Sequence, residues 1–153
     1  MHFALNFCVL ALLALVRGNL NTETFKSDVQ NGERVHLIEY FSPMCGSCKE
    51  FTPIFAEVCA KAQNYGVICE KVDIDTSEGM ALAMEQHILA EGIPNVRVYH
   101  TKGTDSRGER IMVGDVKPAA EIISLIHKAT HRLVKDPEGF YLKTSGAPSH
   151  EEL

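Results

Sequence analysis

Apolar residues recur along this chain in two rhythms, and the switches between them predict its elements. Between Thr22 and Gln30, Phe25 and Val29 stand four apart, the spacing of one face of a short amphipathic helix, and Asn31-Gly32 breaks it. Val35-His36-Leu37-Ile38-Glu39-Tyr40-Phe41 is β-rich and almost wholly apolar, as expected of a strand buried on both faces of a sheet, and Ser42-Pro43 ends it. A helix is predicted from about Cys45 to Ala62, with Phe51, Ile54, Phe55 and Val58 on one face. Gly66 precedes a second buried strand, Val67 to Asp73, and Asp75-Thr76-Ser77 supplies capping chemistry for a helix over roughly Ser77 to Leu89. Gly92-Ile93-Pro94 leads into a strand from Asn95 to His100. The polar stretch Thr101 to Glu109 is a hairpin loop, and Arg110 to Val113 is a short returning strand. Pro118 stands near the first turn of a last helix that carries Ile122, Ile123, Ile126 and Ala129 inward. The order is α/β: a βαβ unit, then a β-hairpin, forming a central mixed sheet flanked by helices on both faces.

The two ends depart from this pattern. Phe3 to Val16 is an apolar run too short for a comfortable membrane span, which needs ~20 residues. It matches the core of a secretory signal, with a cut expected ahead of Asn19, so residues 1–18 are read as a signal peptide and no stable membrane insertion is expected after cleavage. Residues 19–131 form the expected domain, and 132–153 a flexible tail. That tail ends in His150-Glu151-Glu152-Leu153, similar to the tetrapeptides read by the retrieval receptor of the endoplasmic reticulum. The two ends together predict residence in the endoplasmic reticulum lumen.

Composition adds two exclusions. Of 153 residues, 45% are hydrophobic and 23% charged, which is ordinary for a folded domain and unlike a disordered chain. The net charge of −5 comes without a basic patch, which argues against nucleic acid as a partner, because phosphate binding needs clustered cations. A secretory compartment lets disulfides persist, so the cysteines left after Cys8 departs with the signal are read as redox-capable: Cys45, Cys48, Cys59 and Cys69.

Cys45-Gly46-Ser47-Cys48 falls between a buried strand and the start of a helix. A thiolate is the reactive form of cysteine, and the unpaired N–H groups at a helix N-terminus stabilise negative charge there, lowering the thiol pKa. Cys45, at the open end, is therefore the expected nucleophile, and Cys48, one turn deeper, the residue that resolves a mixed disulfide. Gly46 and Ser47 permit the tight turn between them.

Leu37 to Lys49, with its Tyr40-Phe41-Ser42-Pro43-Met44-Cys45-Gly46-Ser47-Cys48 core, resembles the active-site strand, loop and helix of the thioredoxin superfamily, and of the protein disulfide isomerases in particular. Phe51-Thr52-Pro53, Val72-Asp73-Ile74-Asp75 and Glu91-Gly92-Ile93-Pro94 match later landmarks in order, so the resemblance covers about residues 20–130. It implies a thioredoxin fold and a thiol–disulfide oxidoreductase acting on thiols or disulfides of secretory proteins. It places Glu39 as a buried carboxylate that handles the proton of Cys48, and Lys71 as the lysine facing that carboxylate. Pro94 matches the family's cis-proline, which leaves the backbone of Ile93 open to an extended substrate. No dissociable cofactor is implied, because the cysteine pair carries the electrons; glutathione or a lumenal oxidase or reductase resets it. The alternative is a lumenal substrate-binding, chaperone-like protein with slow redox turnover.

Three departures from the isomerase pattern bear on chemistry. Met44, beside the substrate, stands where those proteins usually carry Trp. Ser47 replaces a His whose charge favours the thiolate and makes the disulfide more oxidising, so a potential below the ~−180 mV of protein disulfide isomerase is expected. Asp115 replaces an Arg that follows Gly114, with Lys117 the nearest cation.

Cys59 and Cys69 are expected to be unpaired, because a free cysteine packs like a small hydrophobe, although a disulfide between them is sterically conceivable. His127 and His131 are i, i+4 on the last helix without a third ligand, and are expected to be exposed helix residues with no metal. Met80 and Met84, also i, i+4, are expected in the core. Phe140-Tyr141-Leu142 has two readings, docking to a partner or folding back.

Overall fold

The computed structural model describes residues 19–101 and 106–143, so the expected signal peptide, the centre of the expected hairpin loop and His150–Leu153 lie outside the described residues. The elements follow the predicted order: α1 (Thr22–Thr24), continued by a π-helical stretch over Phe25–Gln30, then β1 (His36–Phe41), α2 (Gly46–Asn64), β2 (Ile68–Asp73), α3 (Ser77–Glu85), β3 (Asn95–Tyr99), β4 (Glu109–Val113) and α4 (Ala119–Thr130). The sheet order is β2-β1-β3-β4. β1 and β2 run parallel, which requires a crossover, and α2 supplies it. β3 pairs antiparallel with β1 and with β4, which makes the sheet mixed.

Alternation along β1 explains the layers. Leu37 joins Phe51, Phe55, Val58, Val96, Val98, Ile122 and Ile126 in one core beneath α2 and α4. Ile38 and Tyr40 point the other way, into a core with Phe25, Val29, Val72, Leu82, Ile88 and Tyr99 beneath α1 and α3. With apolar side chains leaving both faces, β1 has almost no polar alternation, as its sequence required.

Several expectations need correction. α3 stops at Glu85 rather than Leu89: His87 adopts a left-handed backbone (φ 58°), its N–H donates to the Met84 carbonyl, and the Ile88 N–H donates to Ala83. This is a Schellman ending without the usual glycine, fixed by burial of Ile88. Met80 and Met84 lie on the outer face of α3 and are exposed, not in the core. Residues 132–143 are not a loose tail. Arg34 bridges Leu142, Lys135 bridges Tyr141, and the Val35 and Tyr141 N–H groups donate to the Tyr141 and Gly66 carbonyls, each at 2.9 Å. Arg34 clamps the return by pairing with Asp136 and stacking on Phe140. Gly66 is required here, because its φ is +88° and a Cβ would meet the Gly139 carbonyl oxygen at 2.0 Å. Phe140 to Leu142 thus folds back on the domain. His127 and His131 are both exposed.

Cys59 and Cys69 are joined by a disulfide, contrary to the unpaired expectation. Their Cα atoms are 5.6 Å apart, within the range the bond requires, because the crossover lays the second half of α2 along β2. Closing a loop of this length restrains the unfolded chain by about 3 kcal/mol in the chain-entropy model. Among the described residues, no helix is long and apolar enough to cross a membrane.

Candidate functional site

The Cys45-Gly46-Ser47-Cys48 motif lies at the end of β1, where the chain leaves the sheet through a short turn and starts α2. Ser42 organises that turn: its hydroxyl donates to Asp75 at 2.8 Å and accepts the Met44 N–H at 3.0 Å, while its carbonyl accepts the Cys45 N–H. Cys45 is the N-cap of α2, with extended backbone (φ −82°, ψ 123°), and its sulfur takes the place of a capping oxygen by accepting the Cys48 N–H at 3.2 Å. The Ser47 hydroxyl is 3.3 Å from the same sulfur. Cys45 is partly exposed, Cys48 is buried at 1% exposure, and both are free thiols.

The surroundings divide the two thiols sharply. Burial by itself pushes Cys45 up, but hydrogen bonds from the side chains and backbone of Cys48 and Ser47 outweigh it and bring the thiol below its ordinary value. Cys48 is pushed up to about 12, first by burial and then by its hydrogen bond with Cys45, with the charges of Cys45 and Glu39 adding to the rise. Cys45 is therefore the more acidic of the two thiols, and Cys48 retains its proton until something removes it.

Glu39 and Lys71 are direct partners across the parallel ladder. Glu39 is fully buried, and Lys71 Nζ lies 2.9 Å from its Oε2. Glu39 Oε1 has no hydrogen-bond partner. Burial raises the Glu39 pKa, and the Lys71 ammonium only partly offsets this. Lys71 is also fixed against the Phe41 ring, 4.2 Å from its centroid. This pair, read from sequence by resemblance alone, is brought together beneath the motif as expected.

The Ile93–Pro94 peptide bond is cis. Asn95 pairs with Tyr40, so Pro94 and Ile93 lie at the same end of the sheet as the β1 terminus and the cysteine loop. Pro94 is held there by its carbonyl, which accepts the Gly114 N–H at 2.9 Å. A network not expected from the sequence secures this loop: the buried Arg97 donates to Glu91 at 2.7 Å, and Asn95 donates to the same carboxylate oxygen at 3.2 Å. A Glu six residues before an Arg across a tight loop was the available signal. Met44 projects from the turn at 81% exposure, next to Cys45. Lys117 is engaged by Glu121 one turn along α4, so it is committed to the start of that helix.

Comparison with known proteins agrees with this geometry. The thioredoxin family model matches residues 16–128. Protein disulfide isomerase-like 2-3 of Oryza sativa subsp. japonica is 32% identical over 103 residues, spanning 66% of this chain and 21% of that protein. DnaJ homolog subfamily C member 10 of Xenopus laevis is 29% identical over 118 residues, spanning 75% of this chain and 14% of that protein. The chain thus spans less than a third of the length of either relative. The first two thioredoxin domains of Naumovozyma dairenensis Eps1p share the fold, with a TM-score of 0.55 at 22% identity, covering 76% of this chain and 41% of that one. From the strand–cysteine–helix junction, the cis-proline at the same end of the sheet and a family match over most of its length, the chain belongs to the thioredoxin family.

Proposed function

We propose that this protein is a thiol–disulfide oxidoreductase acting through Cys45 and Cys48 on cysteines of secretory-pathway proteins in the endoplasmic reticulum lumen. The observation that carries the reading is the unequal pair: a partly exposed Cys45 whose sulfur caps α2 and whose thiol is made more acidic, beside a buried Cys48 that keeps its proton. Relatives bearing the name protein disulfide isomerase support the same class of chemistry.

In the reducing direction, Cys45 thiolate attacks one sulfur of a substrate disulfide. The S–S bond breaks, one substrate thiolate leaves, and a Cys45–substrate mixed disulfide forms. Cys48 then loses its proton to Glu39 and attacks the Cys45 sulfur. The second substrate thiolate leaves, and the Cys45–Cys48 disulfide carries the two lost electrons' oxidation equivalent. Two thiols of the glutathione class, or a partner dithiol, reduce the pair again. Run backwards, the same steps oxidise substrate dithiols. Ile93 offers its backbone to an extended substrate beside Pro94, and Met44 gives that chain an apolar contact. The retrieval receptor recognises His150–Leu153.

Insulin reduction driven by glutathione tests the reading. Wild type accelerates it, Cys45→Ser falls to background, and Cys48→Ala accumulates a mixed disulfide that mass spectrometry detects. Equal rates for wild type and Cys45→Ser would refute the proposal.

A further inference from the structure

The Cys59–Cys69 disulfide stands one step from the proton-handling pair. Cys69 and Lys71 are two apart on β2, so both side chains leave the strand toward α2, opposite Leu37 and Glu39 of β1. Phe55 is four residues before Cys59 and shares its face of α2. α2 runs against β2, so one helical turn, ~6 Å, matches two strand residues, ~6.6 Å. Two rungs result. On the first, Cys59 is bonded to Cys69; on the next, toward the redox motif, the Phe55 ring faces Lys71 Nζ at 5.7 Å.

Lys71 also borders open space. Between α2 and β2 runs a groove of about 310 Å³, lined among others by Thr52, Phe55, Cys59, Cys69 and Lys71. The Lys71 side chain is 22% exposed and is part of that lining. Phe41 covers the ammonium from β1, on the same rigid strand as Glu39. Phe55 covers it from α2, the one element of the three not hydrogen-bonded into the sheet.

We propose that the Cys59–Cys69 disulfide is a positioning element of the redox site: by locking the register of α2 on β2 one rung before Lys71, it keeps the Lys71 ammonium on Glu39 and out of the groove. This deepens the oxidoreductase reading, which assigns Glu39 as proton acceptor for Cys48, but it concerns a contact that can be followed without turnover. The charged and titratable groups facing Glu39 are few. Lys71 comes from β2 and Cys48 from α2; the partner on β3 is Val96, and α4 brings Ile122 and Ile126 to this side. Glu70, between Cys69 and Lys71, is bonded to His36 at 2.7 Å.

The test is the carbon-13 carboxyl titration of Glu39 by NMR, with the 45/48 pair oxidised so that no thiol titrates beside it. In Cys59→Ala/Cys69→Val the midpoint moves up by about half a unit or more relative to wild type, because the carboxylate loses part of its cation. An unchanged midpoint in the folded variant overturns the proposal. Cys59→Ser/Cys69→Ser is measured in parallel, and if neither variant folds the proposal is also overturned, since the disulfide then holds up the domain rather than one side chain. Insulin reduction by wild type is recorded alongside: its absence refutes the oxidoreductase reading alone, and the Glu39 titration still judges the disulfide.

Discussion

Cys45 and Cys48 sit at the open N-terminus of α2, whereas Cys59 and Cys69 join the second half of the same helix to β2. In the first pair, backbone N–H groups with no helical partner reach a sulfur, one thiol is partly exposed, and the two thiols differ greatly in acidity. In the second, the sulfurs lie along an already hydrogen-bonded helix and strand, where nothing is left over to stabilise an anion. The same element types and the same side chain thus give two free thiols of unequal acidity at a helix end and a cross-link in a helix body. What differs is the supply of unsatisfied donors.

This contrast can be broken by mutation, beginning with its largest consequence. Cys45→Ser takes insulin reduction to background, while Cys59→Ala/Cys69→Val keeps measurable activity; loss of activity in both to the same extent would erase the distinction. Glu39→Gln slows the resolving step by about a hundredfold at neutral pH, the usual scale for a lost general base, and leaves Cys45 alkylation nearly unchanged. Stopped-flow trapping of the mixed disulfide reads the two steps apart. The same variant has a signature in stability. Glu39 holds its proton more tightly in the folded chain than in the unfolded one, so the folded state binds more protons between the ordinary carboxyl range and the raised value. Stability falls as pH rises through that window, and in Glu39→Gln urea unfolding at several pH values shows the fall flattened.

The second pair carries the next effect. Cys59→Ala/Cys69→Val loses about 3 kcal/mol against urea, whereas Cys45→Ser/Cys48→Ser, measured against reduced wild type, loses much less. Smallest is the influence of Ser47. With a neutral hydroxyl rather than a cation beside Cys45, the 45/48 pair equilibrates with glutathione at a potential below ~−180 mV, and Ser47→His moves it upward. A wild-type value above that mark would show that the residue between the cysteines does not set the poise.

These contrasts also show which parts of the molecule were legible beforehand. β1 announced itself by being apolar on both faces with one carboxylate inside, and the motif by following it at once, so the fold and the place of Cys45 and Cys48 at a strand–helix junction could be read from local pattern. The Cys59–Cys69 bond could not. It depends on how α2 registers on β2, and ten residues of sequence separation say nothing about that register. The end of α3 was hidden because His87 takes a role that glycine usually signals. The exposure of Met80 and Met84 was hidden because a four-residue spacing marks a face without saying which way it points. Residues 132–143 were expected in a flexible tail because the anchors of their return, Arg34 and Gly66, lie far off in the chain.

The account rests on Cys45 being the more acidic thiol and Cys48 the partner that keeps its proton. The most direct measurement is the ultraviolet thiolate titration of the reduced 45/48 pair with the Cys59–Cys69 bond intact. The account predicts a first transition below that of the unfolded chain, absent from Cys45→Ser, with no second transition until strongly alkaline pH. A first transition at or above the unfolded value, or one that survives in Cys45→Ser, would contradict it.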